Sequence, residues 1–340
     1  MGPSSFPVDR MVQGCEGAVA RAMVCRAPRV SYRNVDAAQA LAEPGMLAVI
    51  GFGAGREETD DPRWLRLPLE PFDAPAPLEC WEVDGPVGCG QTGDIRWSRG
   101  GGWLFASVSL DESASGGIET CAAEAYRQLA QFLVGQDESQ VLRVWNYLPD
   151  INQGDGDGER YKRFCSGRAR GMGAAFVGGF PAATAIGSPG CNGRLQVYLL
   201  ASSQPGARVE NPRQVSAWRY PRQYGPTPPS FARAVRLPAG DALAISGTAA
   251  VIGHASAHQG DLPAQLAETL ANLEALLAAA GMPAGFDTHS PLKAYVRRPG
   301  DARAVRDFFR QHLPAVPALL LHGEVCRREL LVEVDGWRYA

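Results

Sequence analysis

DALAISGTAAVIGHASAHQGDLPAQLAETLANLEALLAAAG, residues 241–281, is the stretch that decides the fold. Leu262, Leu266, Leu270, Leu273 and Leu277 recur at helical spacing, which predicts one apolar stripe on a helix from about Asp261 to Ala280. Its ends are marked as well. Asp261 can accept a hydrogen bond from the free N–H groups of the first turn, Pro263 is tolerated there, and Gly281 suits a left-handed closing residue. Before this helix, DALAISGTAAVIG reads as a small-residue strand; after it come a strand PLKAYV, a helix DARAVRDFFRQHL, and strands around VPALLLHGEV and RELLVEV. That order predicts a sheet with two helices packed on one face.

The same order occurs upstream: GWLFASVSL, a helix ETCAAEAYRQLAQFLV with Ala122, Tyr126, Leu129 and Phe132 on its stripe, VLRVWNYLPD, GERYKRFCSGRARG, FPAATAIGS and GRLQVYLLAS. Leu142, Trp145 and Pro149 fall on Leu292, Tyr295 and Pro299 at a constant offset of 150, and FPAAT meets VPALL once the insertion NQGDGDGE is allowed for. Two copies are too few for a solenoid, so the expectation is an α+β protein of two tandem modules, each a mixed sheet with two helices on one face. The expected division is a divergent amino-terminal module over 1–202, a connection over 203–230 and a carboxyl-terminal module over 231–340. The connection is dense in Pro, Arg and Tyr and poor in periodicity, which fits either a proline-stiffened linker or a functional loop. Earlier, Gly51, Gly53 and Gly55 follow an apolar strand, but no amphipathic helix comes next and Pro62 arrives early, so a dinucleotide site is rejected in favour of a tight turn between strands.

Composition narrows the function. With 340 residues, 45% hydrophobic, the chain can bury a substantial core. A net charge of -3 offers no basic field for a polyphosphate, which argues against nucleic acid as a partner. The amino terminus lacks a long apolar stretch behind a basic start, and no run reaches the length of a membrane span, so no membrane partner and a cytoplasmic location are expected. Eight scattered cysteines form no C-x-x-C pair, and His254 and His258 sit in a loop-like stretch, so no metal is expected.

Glu333 is out of place in the apolar run Leu330, Leu331, Val332, Glu333, Val334. If the strand is buried, desolvation raises its pKa and it can hold a proton near neutral pH. On pattern alone a solvent-facing position on an edge strand is favoured, because half-buried strands alternate polar and apolar residues.

The second copy, with its strand-end SGT and closing LVE, resembles the RidA (YjgF-like) family. More specifically, ENPRQVSAWRYPRQYGPTPPSFARA, with RVWNYLPDIN and ERYKRFCSGRA upstream, is similar to the chorismatases, which cleave chorismate and release pyruvate. The similarity runs from about Arg143 to the end. It implies RidA-like (chorismate-mutase-like) modules that stand in for neighbouring subunits of a trimer, a monomer with one pocket at the junction, and no cofactor. Glu333 would then be the acid that protonates the methylene carbon of the enolpyruvyl ether. Cys326 looks like the hydroxybenzoate-forming branch, giving 3-hydroxybenzoate with 4-hydroxybenzoate as a possible second product. For the two carboxylates of chorismate, Arg168, Arg213 and Arg222 are the candidate cations and Tyr198 and Tyr220 the candidate walls, with surface ion pairs as the alternative for each arginine. The first copy places Gln196 and Val197 where the second has Val332 and Glu333, so one acid site per chain is expected. Other readings left open are hydrolysis of chorismate to a dihydroxycyclohexadiene carboxylate and pyruvate, a RidA-type imine deaminase, and a non-catalytic module that binds small acids.

Overall fold

A computed structural model describes residues 26–55, 59–73, 77–176, 179–189 and 193–340; the Met-Gly start, Cys15, Cys25 and Cys191 lie outside them. The chain begins with a four-stranded sheet of β1 (Arg29–Arg33), β2 (Met46–Phe52), β3 (Trp64–Leu67) and β4 (Leu78–Glu82), ordered β1-β4-β2-β3, with the short helix α1 (Ala37–Leu41) beside it. Gly51 lies inside β2 rather than in a turn. The Trp64 ring occupies the space its side chain would need, so the glycine serves packing, and only Gly53, at φ +92°, needs left-handed backbone.

The first module follows as β5 (Gly88–Thr92), β6 (Ile95–Gly100), β7 (Trp103–Asp111), α2 (Ile118–Leu133), β8 (Gln140–Leu148), α3 (Arg160–Met172), β9 (Ala182–Gly187) and β10 (Arg194–Ser202). The connection contributes β11 (Ala207–Val209), which pairs with β12 (Ala234–Arg236) and so belongs to the second sheet. The second module continues with β13 (Ala242–Thr248), a two-strand ribbon of β14 (Val251–Ile252) and β15 (Ala255–Ser256), α4 (Leu262–Ala280), β16 (Leu292–Val296), α5 (Ala302–His312), β17 (Ala318–His322), β18 (Glu324–Val325) and β19 (Val332–Tyr339).

The duplication read from the sequence is visible in the pairing. One sheet contains the order β9-β8-β10-β7 and the other β17-β16-β19-β13; β8 runs parallel to β9 as β16 does to β17, and the last strand of each set is antiparallel to both neighbours. Both helices of each module cover one face. Helix α4 starts at Asp261, whose side chain accepts from the Ala264 N–H, and stops at Gly281 in left-handed conformation, as the end signals predict. Leu262, Leu266, Leu273 and Leu277 are buried against the second sheet, while Leu270 is half-buried. Helix α3 packs closely on α2 because Gly167 and Gly171 bear no side chain: an added Cβ would overlap the carbonyl oxygens of Glu119 and Ala123. The other faces of all three sheets meet in one core that includes Trp81, Phe105, Trp145, Tyr198, Tyr295 and Trp337. No helix of the described residues is long and apolar enough to cross a membrane.

The modules are stitched edge to edge. Strand β18 crosses to pair with β9, and the Ala183 N–H donates to Ser246 Oγ at 2.9 Å. The junction therefore brings α3, β8 and β9 of one module against β13 and the start of β19 of the other.

Candidate active site

Alternate residues of β19 face opposite sides. Val332 and Val334 enter the core beneath α4 and α5, which turns Glu333 and Asp335 toward the first module. Strand β19 is interior, between β13 and β16, so the edge-strand reading of Glu333 fails: the residue is 5% exposed. Burial, with the nearby Asp335 charge adding to it, pushes the Glu333 carboxyl up to about 8, against the pull of Arg143, Arg233 and Arg297. It therefore carries its proton at neutral pH. Its place is made by Gly247, where an added Cβ would overlap the Glu333 Oε1.

Glu333 borders two adjoining chambers. The outer one, about 230 Å³, lies under the connection residues Tyr220 and Tyr224. The inner one, about 40 Å³, is lined by Asn146, Arg168 and Thr184, and the chambers share Tyr161, Phe231, Gly247, Cys326 and Glu333. The outer chamber has room for a small molecule and the inner one for a part of it.

Two buried arginines reach this space with donors unused. Arg168 is 4% exposed, its guanidinium lies 5.2 Å from the Tyr126 ring, and its Nε and Nη2 have no hydrogen-bond partner among the described residues. Arg233 is 5% exposed; its Nη2 donates to Tyr220 OH at 2.6 Å and to the Val215 carbonyl at 2.8 Å, and its Nε has none. A buried N–H without an acceptor is costly, and beside a cavity such donors are available to an anion. Arg327, between the Tyr220 and Tyr224 rings at 5.1 and 4.1 Å, adds positive charge to the outer chamber.

The loop before Glu333 is held from both sides. Arg297 donates through Nε to the Leu330 carbonyl at 2.7 Å and through Nη2 to the Val325 and Arg327 carbonyls. Gln265 of α4 donates to the Glu329 carbonyl at 2.9 Å and accepts from the Leu331 N–H at 2.8 Å. Cys326 thus has a fixed place beside the acid. Burial, and next the Glu333 charge, pushes its thiol up to about 12, so it is not a thiolate nucleophile at neutral pH.

A family model described as chorismatase FkbO/Hyg5-like, N-terminal, matches residues 79–201. A Streptomyces hygroscopicus protein named 3-hydroxybenzoate synthase is 38% identical, the match covering 78% of this chain and 81% of that protein. The chain belongs to the chorismatase family. A second Streptomyces hygroscopicus protein, named chorismatase, is 36% identical over 78% of this chain and 80% of its own. The crystal structure of a chorismatase superimposes with a TM-score of 0.82 at 30% identity, covering 94% of this chain and 100% of that one.

Within this chorismatase-family fold, Glu333, Cys326, Arg168 and Tyr220 come together around the two chambers. Three other expected residues do not line them. Tyr198 is fully buried in the inter-sheet core, stacked on Trp145 at 4.8 Å, because its position on β10 points it between the sheets. Arg213 is drawn away by Glu268 at 2.7 Å and by Asn272 Oδ1 at 2.7 Å, both on α4. Arg222 forms an exposed fork on Asp157, at 2.8 and 2.6 Å, the surface ion pair that was its alternative. The module alignment also shifts. Val197 faces the helices, whereas Tyr198, paired with Trp145 as Glu333 is with Tyr295, takes the inter-sheet position; neither it nor Gln196 is an acid.

Sequence reasoning missed Arg233, Arg143, Lys293 and Asp335. The last three interrupt apolar strands just as Glu333 does, and all are at most 1% exposed. His254 and His258 part company, toward Tyr224 and Glu268, and among the described residues no group of three or more metal-ligating side chains occurs.

Proposed function

We propose that this protein cleaves the enolpyruvyl ether of chorismate to pyruvate and 3-hydroxybenzoate, with Glu333 as the general acid. The observation that carries the reading is a carboxyl still protonated near neutral pH, facing a small-molecule pocket that holds two buried arginines with free donors. The family membership supports the substrate class.

Chorismate bears two carboxylates, and Arg168 and Arg233 are the two cations suited to them, with Arg327 at the outer chamber. Glu333 gives its proton to the methylene carbon, making it a methyl group and leaving an oxocarbenium ion at the ether carbon. The substrate's ring hydroxyl then attacks the neighbouring ring carbon that bears the ether. The bond from that carbon to the ether oxygen breaks, this oxygen leaves as the keto oxygen of pyruvate, and the Glu333 carboxylate takes the hydroxyl proton. The ring epoxide so formed opens and shifts its ring hydrogen to give aromatic 3-hydroxybenzoate. The atoms of pyruvate and 3-hydroxybenzoate sum to those of chorismate, so this route consumes no water. Attack by water instead leads to the cyclohexadiene diol. The Cys326 thiol borders both chambers beside Glu333, where it takes space that an attacking water would need, and this favours the route without water.

Purified protein incubated with chorismate should release pyruvate, read by a coupled assay, together with 3-hydroxybenzoate by chromatography. No pyruvate between pH 6 and 9 rejects the reading, and a diol as main product rejects the branch. Arg168→Met and Arg233→Met should each lower kcat/KM by about 10- to 100-fold, the span of ~1.5–3 kcal/mol for a hydrogen bond to a charged group. Unchanged kcat/KM in either variant removes that arginine from the site. Gly247→Ala, which displaces the acid, should reduce kcat by on the order of 10²-fold with the fold retained; full activity would mean the carboxyl need not sit there.

A further inference from the structure

Asp335 follows Glu333 by two residues on the same face of β19, is fully buried, and lines neither chamber. Its Oδ2 accepts from Arg143 Nη2 at 3.1 Å, Trp145 Nε1 at 3.0 Å, Thr184 Oγ1 at 2.7 Å and Tyr295 OH at 3.1 Å. Its Oδ1 has no hydrogen-bond partner among the described residues, and Lys293 Nζ stands 4.0 Å from it. Lys293 is itself paired with Glu79 at 2.9 Å. Two buried cations and two buried anions thus make a neutral cluster, and ionised Glu333 would leave it one negative charge in excess.

The cluster reaches the acid by a second path. Thr184 gives its hydroxyl proton to Asp335 and accepts the Gly247 N–H at 3.0 Å. Gly247 is the wall against which the Glu333 carboxyl lies. One carboxylate therefore controls both the shape of the acid's niche and the charge beside it.

We propose that Asp335 is a positioning residue for Glu333: through Thr184 it fixes the Gly247 wall against which the carboxyl lies, and it places an anion two residues away on the same face of β19. The inference rests on Glu333 being the acid. Charged and titratable groups stand around Glu333 on the elements packed against it: Arg143 from β8, Tyr161 and Arg168 from α3, Arg233 ahead of β12, Tyr295 on the paired strand β16 and Arg297 after it, and Cys326 and Arg327 from the preceding loop. Arg143, Arg233 and Arg297 favour the ionised carboxyl, and Asp335 is the anion that opposes them. Without it, Arg143 loses its counter-charge as well, so both changes act in the same direction.

The test is the pH dependence of kcat and kcat/KM with chorismate, from pH 5 to 10, in the intact protein and in Asp335→Asn and Tyr295→Phe. The intact protein should lose activity as pH rises through about 8, where Glu333 ionises. In Asp335→Asn this limb should move down by roughly one pH unit or more, since an anionic neighbour has gone. Tyr295→Phe takes one donor from Asp335, leaves its charge less compensated, and should move the limb up. A purely structural role would lower kcat or raise KM with the limb in place. That outcome, in an Asp335→Asn protein with unaltered circular dichroism, overturns the inference while leaving the acid intact. If Asp335→Asn does not fold, Tyr295→Phe decides, and an unmoved or lowered limb overturns the inference. Should Glu333→Gln turn over normally, or the intact protein show no limb near 8, the acid assignment fails and this inference with it.

Discussion

Glu333→Gln is expected to lower kcat by about 10²–10⁴-fold, the usual contribution of a positioned general acid, with KM changed little. Glutamine keeps the shape but has no proton to give to a carbon. The same substitution should raise stability. The folded carboxyl titrates at about 8 and an unfolded one near 4.5. Between those values the folded state holds a proton that the unfolded chain has shed. Stability associated with this group is therefore present below pH 4.5 and is lost as pH rises toward 8, at roughly 1.4 kcal/mol per unit. The uncharged amide has no such loss, so the variant should melt above the intact protein at pH 7 and the gap should close near pH 5. Melting curves at both values check the sign; a variant less stable at pH 7 would mean that the carboxyl is held ionised by the arginines. Near-normal turnover would take catalysis away from Glu333.

Lys293→Met should cost about 3–5 kcal/mol of folding stability, the penalty for removing one partner of a buried ion pair. Lys293 is 1% exposed on β16 and reaches Glu79 of β4 at 2.9 Å, tying the first sheet to the second module. Burial by itself lowers the ammonium's pKa, but Glu79 and the neighbouring hydroxyls and Asp335 hold it above the ordinary lysine value. Methionine fills the stem's volume and leaves Glu79 charged with no counter-ion. Urea unfolding followed by tryptophan fluorescence reads the loss, because the Trp145 ring centre lies 5.2 Å from Lys293 Nζ. Adding Glu79→Gln should recover much of the loss, since the stranded charge has gone. A single-variant loss below ~1 kcal/mol would mean that Glu79 finds another partner or takes up a proton.

Glu333, Arg143, Lys293 and Asp335 share one mark in the sequence, a charge inside an apolar strand. A charge in a buried strand must be paired, protonated or used, so each stands out before any coordinate is known. What the pattern does not contain is which fate each meets. Arg143 and Lys293 find carboxylates on other elements, Asp335 collects four donors, and Glu333 has its proton. Those outcomes depend on strands from different modules arriving at one junction.

The arginines of the connection show the limit from the other side. Arg213 and Arg222 are expected as cations for the substrate's carboxylates, yet Arg213 turns to Glu268 and Asn272 and Arg222 to Asp157. A long side chain on irregular backbone takes whichever acceptor the fold brings near, and no local rule names it. Arg168 and Arg233, by contrast, are buried beside the chambers and keep donors without an acceptor among the described residues.

The sequence by itself determined the local structure and its duplication: the stripe and caps of α4, the repeated order of strands and helices, and the strand-borne acid Glu333 near the carboxyl terminus. Each is set by neighbours within a few residues, through hydrogen-bond periodicity and the alternation of faces. Only the tertiary structure decided that Glu333 lies on an interior strand, that Gly247 makes room for it, and that Arg168 and Arg233 are buried beside the chambers with donors left over. Burial and electrostatic environment are set by residues far apart in the chain, and they become properties of a side chain only when the two modules close on each other.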